Sequence, residues 1–159
     1  MSNPKETGNS LPEAVEAYIE SGARFVAIAE SASDASMMKS RSDGEWNGAF
    51  IVHHMGDFEL HFSHRVLRML TEENPDIAGY SEDPYPTNLN YQNRDWRLSL
   101  ATVKAARTMT ADILSKIDAD MLSRPGVHSE RGPITVSDIL VSAARHISAH
   151  ADQLSDALK

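Results

Sequence analysis

The chain has 159 residues, and 15 Lys and Arg against 23 Asp and Glu give it a formal net charge of −8. That length is typical of one domain, and a hydrophobic fraction of 41% is enough to build a packed core. The negative charge argues against nucleic-acid binding, which needs clustered Lys and Arg. The absence of cysteine excludes disulfides, cysteine zinc sites and thiolate nucleophiles. We find no apolar run of the roughly 20 residues that span a membrane and no secretory signal, so we expect a cytoplasmic protein without membrane partners.

Apolar residues recur with helical spacing in four long segments, which are separated by stretches rich in Pro, Gly, Asn and Ser. The polar segment 1–9 is predicted to be a flexible arm, and residues 10–159 are predicted to form a single domain. Ser10 and Glu13 have the spacing of a capping box at the start of the first helix, which extends to about residue 33.

Capping residues also mark the starts of two later helices. The second helix begins after Asn47 and runs to about Leu70, with no proline inside it. The third covers roughly residues 92–118. Thr135 caps the fourth, which runs to about Leu158. Four long helices and no alternating β-branched run predict an all-α four-helix bundle.

The connection over residues 72–91 bears on the topology of this bundle. It is rich in Pro, Gly and Asn, and long irregular connections in compact domains usually have a function. Twenty extended residues reach roughly 66 Å, whereas the second helix spans about 36 Å. The connection can therefore return along the whole bundle and leave the second and third helices parallel. We predict an up-down-down-up topology.

Six of the seven histidines fall on two predicted helices. They are His53, His54, His61, His64, His146 and His150. His146 and His150 lie one turn apart, within or beside the apolar stripe of the fourth helix. This i, i+4 spacing lets two imidazoles share one metal ion. His54 lies at the shoulder of the apolar stripe of the second helix, and antiparallel packing of the two helices would bring it level with the pair. On spacing alone, both a three-histidine metal site and ordinary structural histidines remain open.

Other polar residues near His54 have two interpretations each. Asp57 lies one turn from His54 and Glu59 lies five residues from it, so either carboxylate could orient the imidazole of His54 if that ring binds a metal. The alternative for both residues is an ordinary carboxylate in contact with solvent. His53 is expected to point nearly opposite to His54, toward solvent or a partner subunit. His128 falls in a loop and is interpreted as structural. No His-Glu-x-x-His or Glu-x-x-His motif occurs, which argues against a zincin protease and a di-iron carboxylate bundle.

Several short motifs follow one another in a fixed order along the chain. They are Gly44-Glu-Trp46 with His54, Asp57, Glu59, Arg65 and Arg68; Ala78-Gly-Tyr80-Ser-Glu-Asp83; Gly126-Val-His128-x-x-x-Gly132-x-Ile-Thr135; and His146-x-x-x-His150-x-x-Gln153. Together they resemble the DinB/YfiT-like superfamily over roughly residues 11–158. The resemblance implies a four-helix bundle of up-down-down-up topology, often a homodimer. It also implies one divalent metal per chain, typically zinc or nickel, with manganese and iron as alternatives, held by His54, His146 and His150.

Characterised members of that superfamily include thiol S-transferases that use a low-molecular-weight thiol and a mycothiol-dependent maleylpyruvate isomerase. Three neutral imidazoles leave a divalent ion with an open position, where a thiol is ionised or the pKa of water is lowered. The resemblance thus implies metal-dependent thiol S-transfer to a small-molecule substrate. The alternatives are hydrolysis of a small amide or ester, and a non-catalytic metal-binding dimer.

A second apolar strip on the second helix supports the expectation of a dimer. Its members lie off the core stripe and are Val52, Leu60, Leu67 and Leu70. Exposed apolar patches of this kind usually mark interfaces, and two-fold symmetric dimers are the commonest oligomers. We therefore expect a homodimer.

Overall fold

The structure is a computed structural model that describes residues 11–159. The long helices are α1 Glu13–Glu30, α3 Gly48–Thr71, α5 Trp96–Leu114 and α6 Val136–Ala157, and the short ones are α2 Asp34–Met37 and α4 Tyr85–Asn88. The strands are β1 Asp76–Ile77, β2 Pro125–His128 and β3 Gly132–Thr135. The four long helices confirm the predicted bundle. The predicted arm 1–9 and the capping residue Ser10 lie outside the described residues.

The predicted N-caps of the second and fourth long helices are both present. The Asn47 side chain accepts a hydrogen bond of 2.9 Å from the backbone N–H of Phe50 at the start of α3. At the start of α6, the Thr135 hydroxyl accepts from the backbone N–H of Asp138, whose carboxylate accepts from the backbone N–H of Thr135 in return. These bonds satisfy backbone donors that a helix start would otherwise leave free. Local sequence therefore determines where both histidine-bearing helices begin.

Helices α3 and α5 lie side by side and run in the same direction. Near their starts, His53 Nδ1 lies 2.8 Å from Ser99 Oγ. About two turns further along both helices, Arg107 Nε donates to Glu59 Oε1 over 2.6 Å. Residue numbers rise together along the two helices, so the pair is parallel, as the length of the connection between them predicts.

Helix α6 runs against α3 and alongside α1. The first residue of α3, Gly48, lies against Leu158, just past the end of α6. Further along α3, His54 contacts His146, which lies nearer the middle of α6. Helix α1 packs on α6, with Arg24 in its second half bonded to Asp152 in the second half of α6. The four long helices thus follow the predicted up-down-down-up order.

A small sheet closes one end of the bundle. Strand β1 pairs with β2 in parallel, and β2 pairs with β3 antiparallel, with Val127 opposite both Asp76 and Pro133. Strands of two to four residues are too short to show a two-residue periodicity, so the sequence analysis did not predict them. By pairing with β2, strand β1 anchors the connection between α3 and α5 and directs its next residues along the outside of α3.

The core consists of two apolar clusters, and Phe58 on α3 packs against both of them. One cluster includes Phe25, Met55 and Ile147, and the other includes Tyr18 and Leu140. Burial on two sides makes α3 the most enclosed of the helices. Among the described residues, no helix combines the length and apolar character needed to cross a membrane.

Candidate metal centre

Three histidines from two helices converge on one point in the bundle. His54 on α3 faces His146 and His150 on α6, and one ring nitrogen from each lies within 4.8 Å of the others. The Nε2 atoms of His54 and His146 are 3.1 Å apart. In the part of the chain that the structure describes, no other group of three His, Asp or Glu side chains comes together in this way. Helical periodicity and antiparallel packing bring the three residues together as the sequence analysis expects.

The spacing of these nitrogens can be compared with that of a real metal site. Zinc binds imidazole nitrogens at about 2.0–2.1 Å in tetrahedral geometry, which separates two such ligands by about 3.4 Å. The separation of 3.1 Å between His54 Nε2 and His146 Nε2 is close to that value. His54 is 4% exposed, while His146 and His150 are partly exposed. The residues present therefore fit a divalent ion that is enclosed on one side and accessible on the other.

The surroundings keep these three side chains neutral. Burial, together with the neighbouring imidazoles of His150 and His146, lowers the pKa of His54 from 6.5 to about 3. Burial, with smaller effects from His150 and Arg107, lowers the pKa of His146 to about 4. Burial also lowers the pKa of His150. At neutral pH each ring therefore carries a lone pair that a metal ion can use.

Two polar side chains lie beside the outer nitrogens of these rings. His54 Nδ1 lies 3.3 Å from Glu82 Oε2, and His150 Nδ1 lies 2.8 Å from Gln153 Oε1. An acceptor at Nδ1 favours the tautomer with the proton on that atom, and it leaves the lone pair of Nε2 free for a metal. Helix periodicity gives no signal for Glu82 or Gln153, although both lie within the motifs that carry the family resemblance.

The structure places Asp57 and Glu59 in other interactions. Asp57 accepts a hydrogen bond of 2.6 Å from the Tyr91 hydroxyl and two from Arg94, of 2.9 and 3.0 Å. Glu59 is fully buried and pairs with Arg107. Five residues rotate a helix position by about 140°, which turns Glu59 away from His54 and toward α5. Asp57 therefore bonds to Tyr91 and Arg94 rather than to His54, and it is the Glu82 carboxylate that lies 3.3 Å from His54 Nδ1.

Three of the four remaining histidines have structural partners, and the fourth, His64, is exposed. His53 is completely buried, so the expectation that it faces solvent or a partner subunit is wrong. Parallel packing of α5 along α3 covers that side of the helix, and Ser99 meets the ring. His61 Nε2 lies 2.8 Å from the Tyr85 hydroxyl. His128 Nδ1 accepts a hydrogen bond from a backbone N–H in its own turn.

A cavity of about 500 Å³ opens beside His150. Its walls include His150, Trp46, Gln153 and Arg41. The Trp46 ring also packs on His54, with 5.2 Å between the ring centroids, so it is both a packing anchor and a cavity wall. The volume lies within the range typical of small-molecule sites. A small ligand can therefore reach the accessible side of the histidine cluster.

Comparisons with known proteins agree with this arrangement. The family model of the DinB superfamily matches residues 17–154. A "putative metal-dependent hydrolase" of Halalkalibacterium halodurans is 23% identical over 135 residues, which cover 85% of this chain and 78% of that protein. A protein of the same description from Oceanobacillus iheyensis is 23% identical over 132 residues, covering 80% and 73%.

A solved structure shares the fold. YfiT from Bacillus subtilis, described as "a probable metal-dependent hydrolase with an unusual four-helix bundle topology", superposes with a TM-score of 0.78. The match covers 98% of this chain and 91% of that one, at 22% sequence identity. At that identity the likeness establishes a common architecture.

Proposed function

This chain belongs to the DinB superfamily, and we propose that it is a metal-dependent enzyme in which His54, His146 and His150 hold one divalent ion. The observation that carries the proposal is the convergence of three neutral imidazoles, two of them with Nε2 atoms 3.1 Å apart. An all-imidazole donor set suits zinc or nickel better than manganese, which favours carboxylate and water ligands. The descriptions of two relatives as putative metal-dependent hydrolases support the same assignment.

Hydrolysis of a small amide or ester is the reaction that we propose first. An ion with three protein ligands keeps an open position, where it acts as a Lewis acid and acidifies water or a thiol. The three rings are neutral, so they leave the full charge of the ion uncompensated. Trp46 shields one side of His54 from solvent, and Gln153 holds the outer nitrogen of His150. The adjoining cavity has a volume that suits a small-molecule substrate.

Thiol S-transfer is the second candidate. Its support is the resemblance of the sequence motifs to a superfamily that contains thiol S-transferases, and the same open position would ionise a thiol. The chain has no cysteine, so a low-molecular-weight thiol would have to supply the sulfur. The cavity beside His150 is large enough to admit such a cofactor.

One experiment tests metal dependence and separates the two reactions. Protein stripped with a chelator is reloaded with zinc, nickel, manganese or iron and assayed on nitrophenyl esters and small amides. It is then assayed with monochlorobimane in the presence of bacillithiol, mycothiol or glutathione. We expect ester or amide hydrolysis by the loaded protein and none by the stripped protein or by His150→Ala.

Each outcome of that experiment has a defined meaning. Conjugation of the bimane without hydrolysis would favour thiol transfer over hydrolysis. Stoichiometric metal without turnover in either assay would favour a non-catalytic metal-binding protein. Failure of the wild-type chain to retain any of the four ions would overturn the proposed function.

A further inference from the structure

The connection between α3 and α5 brings a carboxylate to the metal-facing histidine of α3. Glu82 lies 28 positions after His54 in the chain, yet its Oε2 atom is 3.3 Å from His54 Nδ1. The Tyr80 hydroxyl donates a hydrogen bond of 2.9 Å to the other oxygen, Glu82 Oε1. One oxygen of this carboxylate is therefore bonded to a tyrosine of the same loop, and the other lies within ion-pair distance of the imidazole.

The carboxylate lies on the side of the ring away from the other histidines. His54 Nε2 faces His146, whereas Nδ1, on the opposite edge of the ring, faces Glu82. At 3.3 Å the carboxylate is within ion-pair distance of Nδ1, the atom whose N–H proton a carboxylate can accept, and it is too far around the ring to be a ligand of the same ion. Accepting this proton fixes both the tautomer and the rotation of the imidazole.

Helix α3 itself holds the loop in place. The Tyr80 ring stacks on His61, with 3.8 Å between the centroids and 19° between the planes. The Arg65 guanidinium lies 5.2 Å from the centroid of the same ring and donates a hydrogen bond of 2.7 Å to the Ala78 carbonyl. His54, His61 and Arg65 are seven and four residues apart, so they share one face of α3. Helix α3 therefore carries His54 and also contacts the loop segment that contains Tyr80 and Glu82.

We propose that Glu82 is a positioning residue for the metal centre and that Tyr80 holds it in place. This inference rests on the proposed function, because it concerns the affinity of the three-histidine site for its ion. Hydrogen-bond partners of ligand imidazoles typically contribute 10–100-fold to metal affinity. The role assigned to Glu82 is distinct from coordination, since its carboxylate meets the nitrogen of His54 that points away from the site.

The test measures zinc dissociation constants by competition with a chromophoric chelator. Glu82→Ala removes the acceptor and is expected to weaken zinc binding by about 10–100-fold. Glu82→Gln keeps an acceptor oxygen and is expected to bind within about fivefold of wild type. Tyr80→Phe removes the hydroxyl that holds Glu82 and should weaken binding by about 3–10-fold. Asp83→Ala removes a carboxylate from the exposed neighbouring position and serves as the matched control, with affinity unchanged.

The thermal unfolding midpoint of each metal-free variant is measured as well. If Glu82 has a positioning role, its substitution changes the zinc affinity more than it changes the stability of the fold. Equal affinities of Glu82→Ala and Asp83→Ala would overturn the inference, as would a loss in Glu82→Gln as large as that in Glu82→Ala. If Glu82→Ala fails to fold, Tyr80→Phe decides. Zinc affinity equal to that of Asp83→Ala then counts against the inference, and weaker zinc affinity supports it. Failure of wild type to bind zinc or nickel would instead overturn the proposed function.

Discussion

Acidification from pH 7 to pH 5 should weaken metal binding far less here than at an ordinary three-histidine site. An imidazole with a pKa of 6.5 is about 3% neutral at pH 5, so each such ligand costs about 25-fold in affinity over this range, and three cost about 10⁴-fold. The pKa of His54 is about 3 and that of His146 is about 4. Those two rings remain about 99% and 90% neutral at pH 5 and together cost about 1.1-fold.

His150 sets the upper limit of the effect. Burial lowers the pKa of His150 as well. Even if this ring had the ordinary pKa of 6.5, its protonation would lower the metal affinity by only about 25-fold between pH 7 and pH 5. We therefore expect the apparent zinc affinity to fall by less than about 30-fold between pH 7 and pH 5. The measurement is a chelator competition calibrated at each pH. A synthetic peptide of residues 136–157, in which both histidines are solvated, is the comparison.

The same shifts predict that acid destabilises the metal-free fold. Because the folded-state pKa of His54 is below 6.5, the unfolded chain binds more protons between about pH 6.5 and pH 3. The free energy of unfolding therefore falls as the pH is lowered through this window and is fully retained above it. For His54, which is 4% exposed, the loss at pH 5 is about 2 kcal/mol. An apparent zinc affinity that falls by about 10⁴-fold between pH 7 and pH 5, as three imidazoles of ordinary pKa require, would refute the reasoning.

Three further predictions follow from the packing. Alanine at any one of the three metal-facing histidines should abolish stoichiometric metal in elemental analysis, whereas His53→Ala should retain it; loss of metal in His53→Ala but not in His54→Ala would contradict the assignment. Gly22→Ala should lower the free energy of unfolding in urea by about 2–4 kcal/mol, since the new Cβ would lie 2.5 Å from Arg107 Nη1 in a buried ion pair; an unchanged midpoint would refute this. The prediction that Val52 belongs to an exposed strip on α3 is wrong, because it is fully buried in the core, whereas Leu60 and Leu67 are 60% and 40% exposed. We propose a homodimer through Leu60 and Leu67; a 17.5 kDa species in sedimentation at micromolar concentration would reject it.

The candidate site is largely a consequence of helix periodicity. The spacing of His146 and His150 places them on one face of α6 whatever the rest of the chain does. His54 joins them because α3 and α6 are antiparallel, and the length of the connection after α3 allows that arrangement. Local capping by Asn47 and Thr135 determines where both helices begin and therefore the level at which the three rings meet.

Tertiary structure decided which neighbours cover each side of those helices. Periodicity gives the direction of a side chain around its own axis, but it does not say what lies in that direction. His53 points away from His54, as expected, but α5 packs there, so the ring is buried against Ser99. Asp57 likewise meets Arg94. Glu82 reaches His54 because β1 pairs with β2 and Tyr80 stacks on α3, and contacts between residues so distant in sequence arise only when the whole chain is folded.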